Sequence, residues 1–275
     1  MLIYLNNRFV PEKEATLHVS DLAIQRGYGV FDFFRVRNGI LLFVEDHLER
    51  LERSATLMHL SMPCTKDHLL SVLKELVAKN NMPHAGIRIV LTGGYSPDAY
   101  QPTTPNLIVM QSPLTITDSP EPKEVNIITH EFVRDLPEAK TINYSMGIWL
   151  LKKIHEQQAD DVLYHQQGVV SEFPRCNFFI VTQTNEIVTP AVNALKGITR
   201  KRVLELSGFK IREGLVTLED IRTAKEAFLT SSTKRIQAVV KMDGQPIGNG
   251  RAGETTRALL RQLIEREQAY VAERM

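Results

Sequence analysis

The sequence predicts an α+β protein of two domains. Its 275 residues are enough for two modest cores, and a composition of 43% hydrophobic and 24% charged residues is ordinary for a globular chain. Short strand patterns and amphipathic helix patterns both recur along it. Residues 118–124 read Asp-Ser-Pro-Glu-Pro-Lys-Glu, and two prolines among polar residues indicate a linker. We therefore predict a small N-terminal domain over 1–117 and a larger C-terminal domain over 125–275.

The predicted elements follow from local patterns. Strand residues on either side of Asn6-Asn7 indicate an opening hairpin, and apolar residues spaced by three and four indicate helices. The N-terminal domain has strands over 3–5, 9–10, 87–92 and 107–110, and helices over 45–60 and 67–78. The C-terminal domain has strands over 125–128, 162–164, 177–181, 227–230 and 236–242, and helices over 146–158, 198–206 and 254–274.

Composition excludes several functional classes. A net charge of +1 gives no overall attraction to nucleic acid or to an anionic membrane. Cys64 and Cys176 do not make a disulfide framework, and no cysteine or histidine cluster has metal-binding spacing. No apolar run reaches the roughly 18 residues of a membrane span, and the first residues do not resemble a signal peptide. We expect a cytoplasmic protein without a metal.

Lys140 is the most informative residue of the chain. It lies in the run LPEAKTINY at 136–144, where Ile142 and Tyr144 could shield its amine from water. Glu172 follows downstream, after a strand and turn. A desolvated lysine with an acidic partner is what a pyridoxal 5′-phosphate enzyme needs, because the amine bonds to the cofactor aldehyde and the carboxylate keeps the pyridine nitrogen protonated. An ordinary surface lysine and a hairpin-loop glutamate are the alternative.

Two hydroxyl-rich segments suit a phosphate group. Gly197-Ile198-Thr199 opens a predicted helix, and backbone N–H groups at a helix N-terminus attract anions. Thr230 to Thr233 places four hydroxyls at the end of a strand. Each segment alone is equally compatible with helix capping or a polar loop. Arg50 lies beside the apolar stripe of its predicted helix, and a surface ion pair with a nearby glutamate is the ordinary explanation for an arginine there.

These residues together resemble the class IV aminotransferases, the fold type IV enzymes that use pyridoxal phosphate. The resemblance covers about residues 3–250 and depends on six blocks in the family order. They are VSDLAIQRGYGVF at 19–31, HLERL at 47–51, KTINY at 140–144, Ser171-Glu172 through Phe179, GIT at 197–199 and TSST at 230–233.

The resemblance implies a role for each matched residue. Lys140 would be the Schiff-base lysine and proton shuttle, and Glu172 would contact the pyridine nitrogen. A homodimer with its active site between domains is also implied. The residues implied to hold the cofactor are Arg50, Lys140, Tyr144, Glu172, Gly197, Ile198, Thr199, Ser232 and Thr233.

The chain resembles D-amino acid transaminases more than branched-chain enzymes, because its KTINY block is short, but it departs from them in one loop. Familiar members grip the substrate carboxylate through the pattern R-G-x-x-P-R-x-H. Here Asp98 and Tyr100 occupy the positions of that arginine and histidine, and an aspartate would repel a carboxylate. A subgroup with this loop is similar to the chain.

Other cations are therefore candidates for the carboxylate grip, with structural ion pairs as the alternative for each. The predicted substrate-binding residues are Arg26, Phe31, Arg88, Arg175, Lys234 and Arg235. Strand alternation predicts that Arg88 points away from the face of Ile87 and Ile89.

The predicted reaction moves an amino group from a D-amino acid such as D-alanine or D-glutamate to a 2-oxo acid such as 2-oxoglutarate. A branched-chain L-amino acid aminotransferase is the first alternative, with an apolar pocket from Phe31, Phe33 and Phe34. An aminodeoxychorismate lyase and a non-catalytic carrier of pyridoxal phosphate are the others.

Overall fold

A computed structural model describes residues 1–115 and 117–275, and it confirms the predicted α+β class. The chain forms two compact units, each with its own sheet. Unit 1 comprises Met1–Thr117, Ala139–Asn143 and Ala269–Met275. Unit 2 comprises Asp118–Glu138 and Tyr144–Gln268.

The units differ from the predicted domains at three segments. Residues 118–124 are not a separate linker, because Asp118 pairs with Arg235 within unit 2 and Glu124 begins a strand there. Residues 139–143 belong to unit 1, although they lie within the predicted C-terminal domain. The end of the closing helix, from residue 269, also belongs to unit 1. Long-range contacts thus group these two segments with unit 1.

Unit 1 contains a six-stranded sheet in the order β2-β1-β6-β5-β3-β4, in which every pairing is antiparallel. Its strands are β1 (Leu2–Leu5), β2 (Arg8–Pro11), β3 (Gly29–Arg37), β4 (Ile40–Leu41), β5 (Ala85–Thr92) and β6 (Leu107–Pro113). Its helices are α1 (Leu22–Arg26), α2 (Val44–Leu57) and α3 (Lys66–Asn80).

The two faces of this sheet have different surroundings. Alternate β3 residues such as Val30 and Phe34 join one core with Leu48 of α2 and Leu73 of α3. The side chain of Phe31 points to the opposite face, because successive residues of a strand alternate. The sheet therefore has one face covered by α2 and α3, and a second face that carries Phe31.

Unit 2 contains a nine-stranded mixed sheet whose main order is β12-β11-β10-β13-β14-β7-β8-β9, with β15 paired to β14. Its strands are β7 (Glu124–Glu131), β8 (Asp161–Gln166), β9 (Val169–Val170), β10 (Asn177–Val181), β11 (Ile187–Pro190), β12 (Ile211–Gly214), β13 (Glu226–Ser231), β14 (Arg235–Met242) and β15 (Gln245–Pro246). Its helices are α4 (Ser145–Trp149), α5 (Leu151–Glu156), α6 (Ile198–Leu204), α7 (Leu218–Arg222) and α8 (Glu254–Ala272), whose last turn is assigned to unit 1.

Central strands of unit 2 are apolar on both faces. Every residue of β10 is buried, and Phe178 and Phe179 enter different core clusters on opposite sides of the sheet. In β10 the polar Asn177 is the first residue of the strand and the four residues after it are apolar. Within the described part of the chain, no helix combines the length and hydrophobicity needed to cross a membrane.

We expect Gly94→Ala to destabilise the protein more than Gly39→Ala. Both glycines have a left-handed backbone, with φ of 79° and 78°, so both substitutions cost about 1–2 kcal/mol in strain. A Cβ at Gly94 would lie 2.2 Å from the Thr104 carbonyl oxygen, whereas nothing lies within 4 Å of one at Gly39. Urea unfolding of both variants measures the difference, and equal losses would refute the close approach at Gly94.

Candidate functional site

Lys140 lies on the sheet of unit 1, directly opposite Phe31. Residues 139–143 run antiparallel to β3: the Phe31 N–H donates to the Lys140 carbonyl at 2.9 Å, and Val30 pairs with Thr141. Directly opposed residues of antiparallel strands point to the same face. The Lys140 Nζ accordingly lies 4.6 Å from the centre of the Phe31 ring.

Arg88 contacts the same ring from the other side of β3. Its guanidinium carbon lies 5.4 Å from the ring centre of Phe31. In the β3–β5 register Phe31 is opposite Val90 and Phe33 is opposite Arg88, so Arg88 shares the face of Phe31. This orientation agrees with the predicted alternation. Lys140, Phe31 and Arg88 thus form a row across three neighbouring segments, with two cations on one aromatic ring.

Phe34 does not join this row. It is fully buried in the core of unit 1, on the face of β3 that packs against α2 and α3. Phe33 lies on the face of Phe31, and its ring covers Gly86 so closely that a Cβ there would lie 2.4 Å from it. An apolar surface near Lys140 therefore comes from Phe31 and Phe33, without Phe34.

Arg50 lies on α2 and is 8% exposed. Its Nε and Nη2 donate to the two carboxylate oxygens of Asp32, each at 2.8 Å. One turn further along α2, the Ser54 hydroxyl accepts from the Lys140 backbone N–H at 3.1 Å. Helix α2 therefore positions two of the predicted site residues, Arg50 and Lys140.

Glu172 is 4% exposed and held at both carboxylate oxygens within unit 2. Arg134 donates to Oε1 from Nε at 2.8 Å and from Nη2 at 2.6 Å, and the Leu195 N–H donates to Oε2 at 2.9 Å. Arg134 could not be predicted from a local motif, because its contact with Glu172 joins residues that are far apart in the sequence. Glu172 is thus an oriented, charge-paired carboxylate.

The start of α6 is connected to Glu172 through Asn177. The Asn177 amide donates to the Leu195 carbonyl at 2.8 Å. A Cβ at Gly197 would lie 2.0 Å from the Asn177 side-chain oxygen, so a larger residue does not fit there. Gly197 precedes α6, and Ile198 and Thr199 are its first residues. The predicted anion-binding turn thus follows directly from the loop that holds Glu172.

The hydroxyl-rich turn, residues 230–233, begins next to Asn177, because Thr230 of β13 pairs with Asn177 of β10 in the sheet. Thr230 is 1% exposed, and its hydroxyl has no hydrogen-bond partner among the described residues. Ser232 is half-buried and Thr233 is exposed. Unit 2 therefore brings together Glu172, the α6 start and this turn, and it buries one unsatisfied hydroxyl beside them.

Lys234 and Arg235 both have carboxylate partners. The Lys234 amine lies 3.1 Å from Asp161 Oδ2, and Asp161 is buried. Arg235 is itself buried and pairs with Glu267 and Asp118, each at 2.8 Å. Their positive charges are therefore largely compensated within unit 2.

The remaining predicted residues are more open. Arg26 is exposed and donates to the Gln25 carbonyl, and Arg175 is also exposed. Tyr144 is half-buried and immediately precedes α4.

Asp98 is turned into its own loop. Its Oδ1 accepts hydrogen bonds from the Gln101 and Tyr100 N–H groups and from the Ser96 hydroxyl. These bonds, led by that from Gln101, hold the pKa of the Asp98 carboxyl below its usual value. Asp98 therefore stabilises the loop, a role that the comparison of charges alone did not predict.

Known proteins match this chain over nearly its full length. The model of the amino-transferase class IV family matches residues 29–242. A D-alanine aminotransferase of Bacillus licheniformis is 30% identical over 94% of both chains. A putative branched-chain-amino-acid aminotransferase of Methanocaldococcus jannaschii is 32% identical, also over 94% of both.

Solved structures share the fold. The branched-chain aminotransferase of Thermoproteus uzoniensis, solved with norvaline, superposes with a TM-score of 0.87 at 25% identity. The match covers 99% of this chain and 97% of that one.

We expect Thr230→Val to leave the ligand-free protein as stable or to stabilise it by about 1 kcal/mol, because an unpartnered buried hydroxyl is removed. Thr189→Val is the matched control. Thr189 is equally buried, but its hydroxyl donates to the Phe178 carbonyl at 2.7 Å, so this variant should lose about 1–2 kcal/mol. Urea unfolding compares them, and a loss in Thr230→Val as large as the control's would mean that its hydroxyl is bonded.

Proposed function

Because the chain belongs to the class IV aminotransferase family, we propose that it moves an amino group from a D-amino acid to a 2-oxo acid. It is an aminotransferase of the two-domain fold type IV, and its cofactor is pyridoxal phosphate. D-Alanine and D-glutamate are the proposed donors, and 2-oxoglutarate is the proposed acceptor. The single observation that carries the proposal is the row of Lys140, Phe31 and Arg88.

Several residues have the chemistry that this cofactor needs. Its ring, when bound, withdraws electrons from the substrate α-carbon and so eases loss of the α-proton. The oriented Glu172 carboxylate suits a protonated ring nitrogen, and Thr230 offers a buried hydroxyl that has no hydrogen-bond partner among the residues described. We propose that Gly197, which precedes α6, forms part of the cofactor site and that Tyr144 lines the cofactor. The residues proposed to bind the phosphate are Arg50, Ile198, Thr199, Ser232 and Thr233.

Lys140 is the proposed catalytic residue. The Ser54 hydroxyl and β3 fix its backbone, and the Phe31 ring lies under its amine. A half-buried amine on an aromatic surface is partly shielded from water, which favours a proton-accepting role. We propose that the Lys140 Nζ carries the cofactor and then takes the α-proton from the substrate.

Arg88 is the proposed partner of the substrate carboxylate. Its guanidinium and the Lys140 amine contact the same ring, so a bound α-carboxylate would lie near the amine that must reach the α-carbon. Planar guanidinium groups bind carboxylates through two hydrogen bonds. Arg26 and Arg175 stay candidates for a second carboxylate, while Lys234 and Arg235 are weaker candidates because acidic partners neutralise them.

Branched-chain L-amino acids are the second candidate substrates. The Methanocaldococcus jannaschii relative carries that description, and Phe31 and Phe33 lie on the face of Lys140. The two candidates differ in the stereochemistry and the side chain of the donor. A homodimer, as in the family, is also proposed and can be measured by light scattering.

We expect Lys140→Ala to abolish transamination and the absorption band of the lysine-bound cofactor, because the Lys140 amine is the group proposed to bond to the cofactor aldehyde. Lys152→Ala is the control, since Lys152 is exposed on α5. Absorption spectra and a coupled assay of both purified proteins are the measurement. A Lys140→Ala protein that keeps the band would contradict the assignment.

We expect D-alanine or D-glutamate to bleach the cofactor band of the wild-type enzyme and 2-oxoglutarate to restore it. Stopped-flow absorbance with each single amino acid measures this half-reaction. Bleaching by L-leucine without bleaching by D-amino acids would establish the branched-chain alternative. A response to no amine would refute the transaminase proposal as a whole.

We expect Arg88→Leu to lower kcat/KM for D-glutamate by about 10–100-fold, because a charge-assisted hydrogen bond contributes about 1.5–3 kcal/mol. Arg88→Lys should recover part of this loss, since it keeps the charge without the planar fork. Arg37→Leu, at the far end of β3, is the control. An unchanged constant in Arg88→Leu would remove Arg88 from the substrate site.

A further inference from the structure

Three buried polar side chains form one cluster in unit 1, and the proposed reaction uses one of them directly. Asp32 is 0% exposed, His47 is 2% exposed and Arg50 is 8% exposed. Asp32 comes from β3, on the face opposite Phe31, and the other two come from α2. The cluster therefore lies between the sheet of unit 1 and the helix that packs on it.

Asp32 makes four hydrogen bonds. Arg50 uses its Nε and Nη2, the Phe33 N–H donates at 2.7 Å, and His47 Nδ1 lies 2.6 Å away. This side-on arrangement fixes the plane of the Arg50 guanidinium, because two parallel hydrogen bonds leave it no rotation. None of the described hydrogen bonds uses Nη1 of Arg50, so the N–H groups of Nη1 can donate to another acceptor.

His47 supports this arrangement as a neutral donor. Burial lowers the pKa of its imidazole more than the Asp32 charge raises it, so Nδ1–H donates to Asp32 without a second positive charge. Burial alone would raise the pKa of Asp32, but Arg50 and His47 with their hydrogen bonds outweigh it and hold that pKa well below its usual value. The cluster thus contains one anion and one cation.

Such a cluster is a poor way to stabilise a core. Desolvation of two charges offsets most of their attraction, and apolar residues of the same volume often stabilise a core as well. Its distinctive property is orientation. The same stripe of α2 continues to Ser54, whose hydroxyl accepts from the Lys140 N–H. This side of α2 therefore fixes the orientation of the Arg50 guanidinium and the position of the Lys140 backbone.

We propose that Asp32 is the positioning residue of Arg50, holding its guanidinium so that Nη1 faces a phosphate monoester. The inference rests on the proposed function, because Arg50 is assigned there to the cofactor phosphate. Asp32 itself touches no ligand and acts through Arg50, with His47 as the second support of its carboxylate.

The test compares two aldehydes that differ in the phosphate alone. Dissociation constants of pyridoxal phosphate and of pyridoxal are measured by absorbance with the full-length protein freed of cofactor. We expect Asp32→Asn to raise the dissociation constant of pyridoxal phosphate by about tenfold or more, because hydrogen bonds to a charged group are involved. Pyridoxal, which can still bond to Lys140, should change less than about twofold by the same argument.

Asp21→Asn is the matched control. Asp21 is also 0% exposed and accepts from the Ala23 N–H, the Thr92 hydroxyl and the Asn106 amide, but it does not contact Arg50. This variant should raise the dissociation constants of both aldehydes by the same factor, or change neither. A merely structural role of Asp32 would give the same pattern as Asp21→Asn, and that result would overturn the proposal.

A double variant supplies a second, independent readout. If Asp32 acts through Arg50, adding Asp32→Asn to Arg50→Met should change the pyridoxal phosphate constant no further. Additive losses would overturn the proposal.

If Asp32→Asn fails to fold, Asp32→Glu replaces it, because this substitution keeps the charge but displaces the carboxylate. The same selective loss of pyridoxal phosphate binding is then required. A wild-type protein that binds neither aldehyde would refute the proposed function itself, whereas phosphate selectivity unchanged by the variants refutes Asp32 alone.

Discussion

The pairing of residues 139–143 with β3 is the interaction on which the proposed chemistry depends. Two backbone hydrogen bonds, from Phe31 to Lys140 and from Ile142 to Gly29, attach this segment to the sheet of unit 1. A Cβ at Gly29 would lie 2.7 Å from the Leu91 carbonyl oxygen of β5 and 3.1 Å from the Ile142 side chain, so a small residue is needed between these two neighbours. Because the register places Lys140 opposite Phe31, a slip by one residue would point the amine to the other face.

Unit 2 achieves a comparable orientation through a chain of hydrogen bonds. Arg134 and the Leu195 N–H fix Glu172, the Leu195 carbonyl accepts from Asn177, and Asn177 pairs with Thr230 in the sheet. Each link fixes the next, so the carboxylate, the α6 start and the hydroxyl turn keep constant relative positions. Preorganised polar groups of this kind need little rearrangement when charge develops.

Much of the fold could be predicted from local patterns, but strand β3 could not. Helices α2, α3 and α8 have apolar residues at helical spacing, and they were predicted within a few residues. Strand β3 was not predicted because its apolar residues do not alternate with polar ones. Val30 and Phe34 face the core of unit 1, while Phe31 on the opposite face contacts Lys140 and Arg88. The single helix predicted over 146–158 is two, because the chain breaks at the fully buried Leu150.

The same limit applies to the candidate site. Short motifs predict roles for Lys140 and Glu172, but the partners of charged residues depend on the tertiary fold. Both units compensate buried charges internally: Asp32 with Arg50, Glu172 with Arg134, Asp161 with Lys234 and Glu267 with Arg235. Among the predicted substrate cations, this leaves Arg26, Arg88 and Arg175 without a carboxylate partner in the described part of the chain. Of these, Arg88 alone shares an aromatic ring with Lys140. The proposed carboxylate grip is therefore assigned to Arg88 on strand β5 rather than to the loop in which Asp98 accepts hydrogen bonds from its own neighbours.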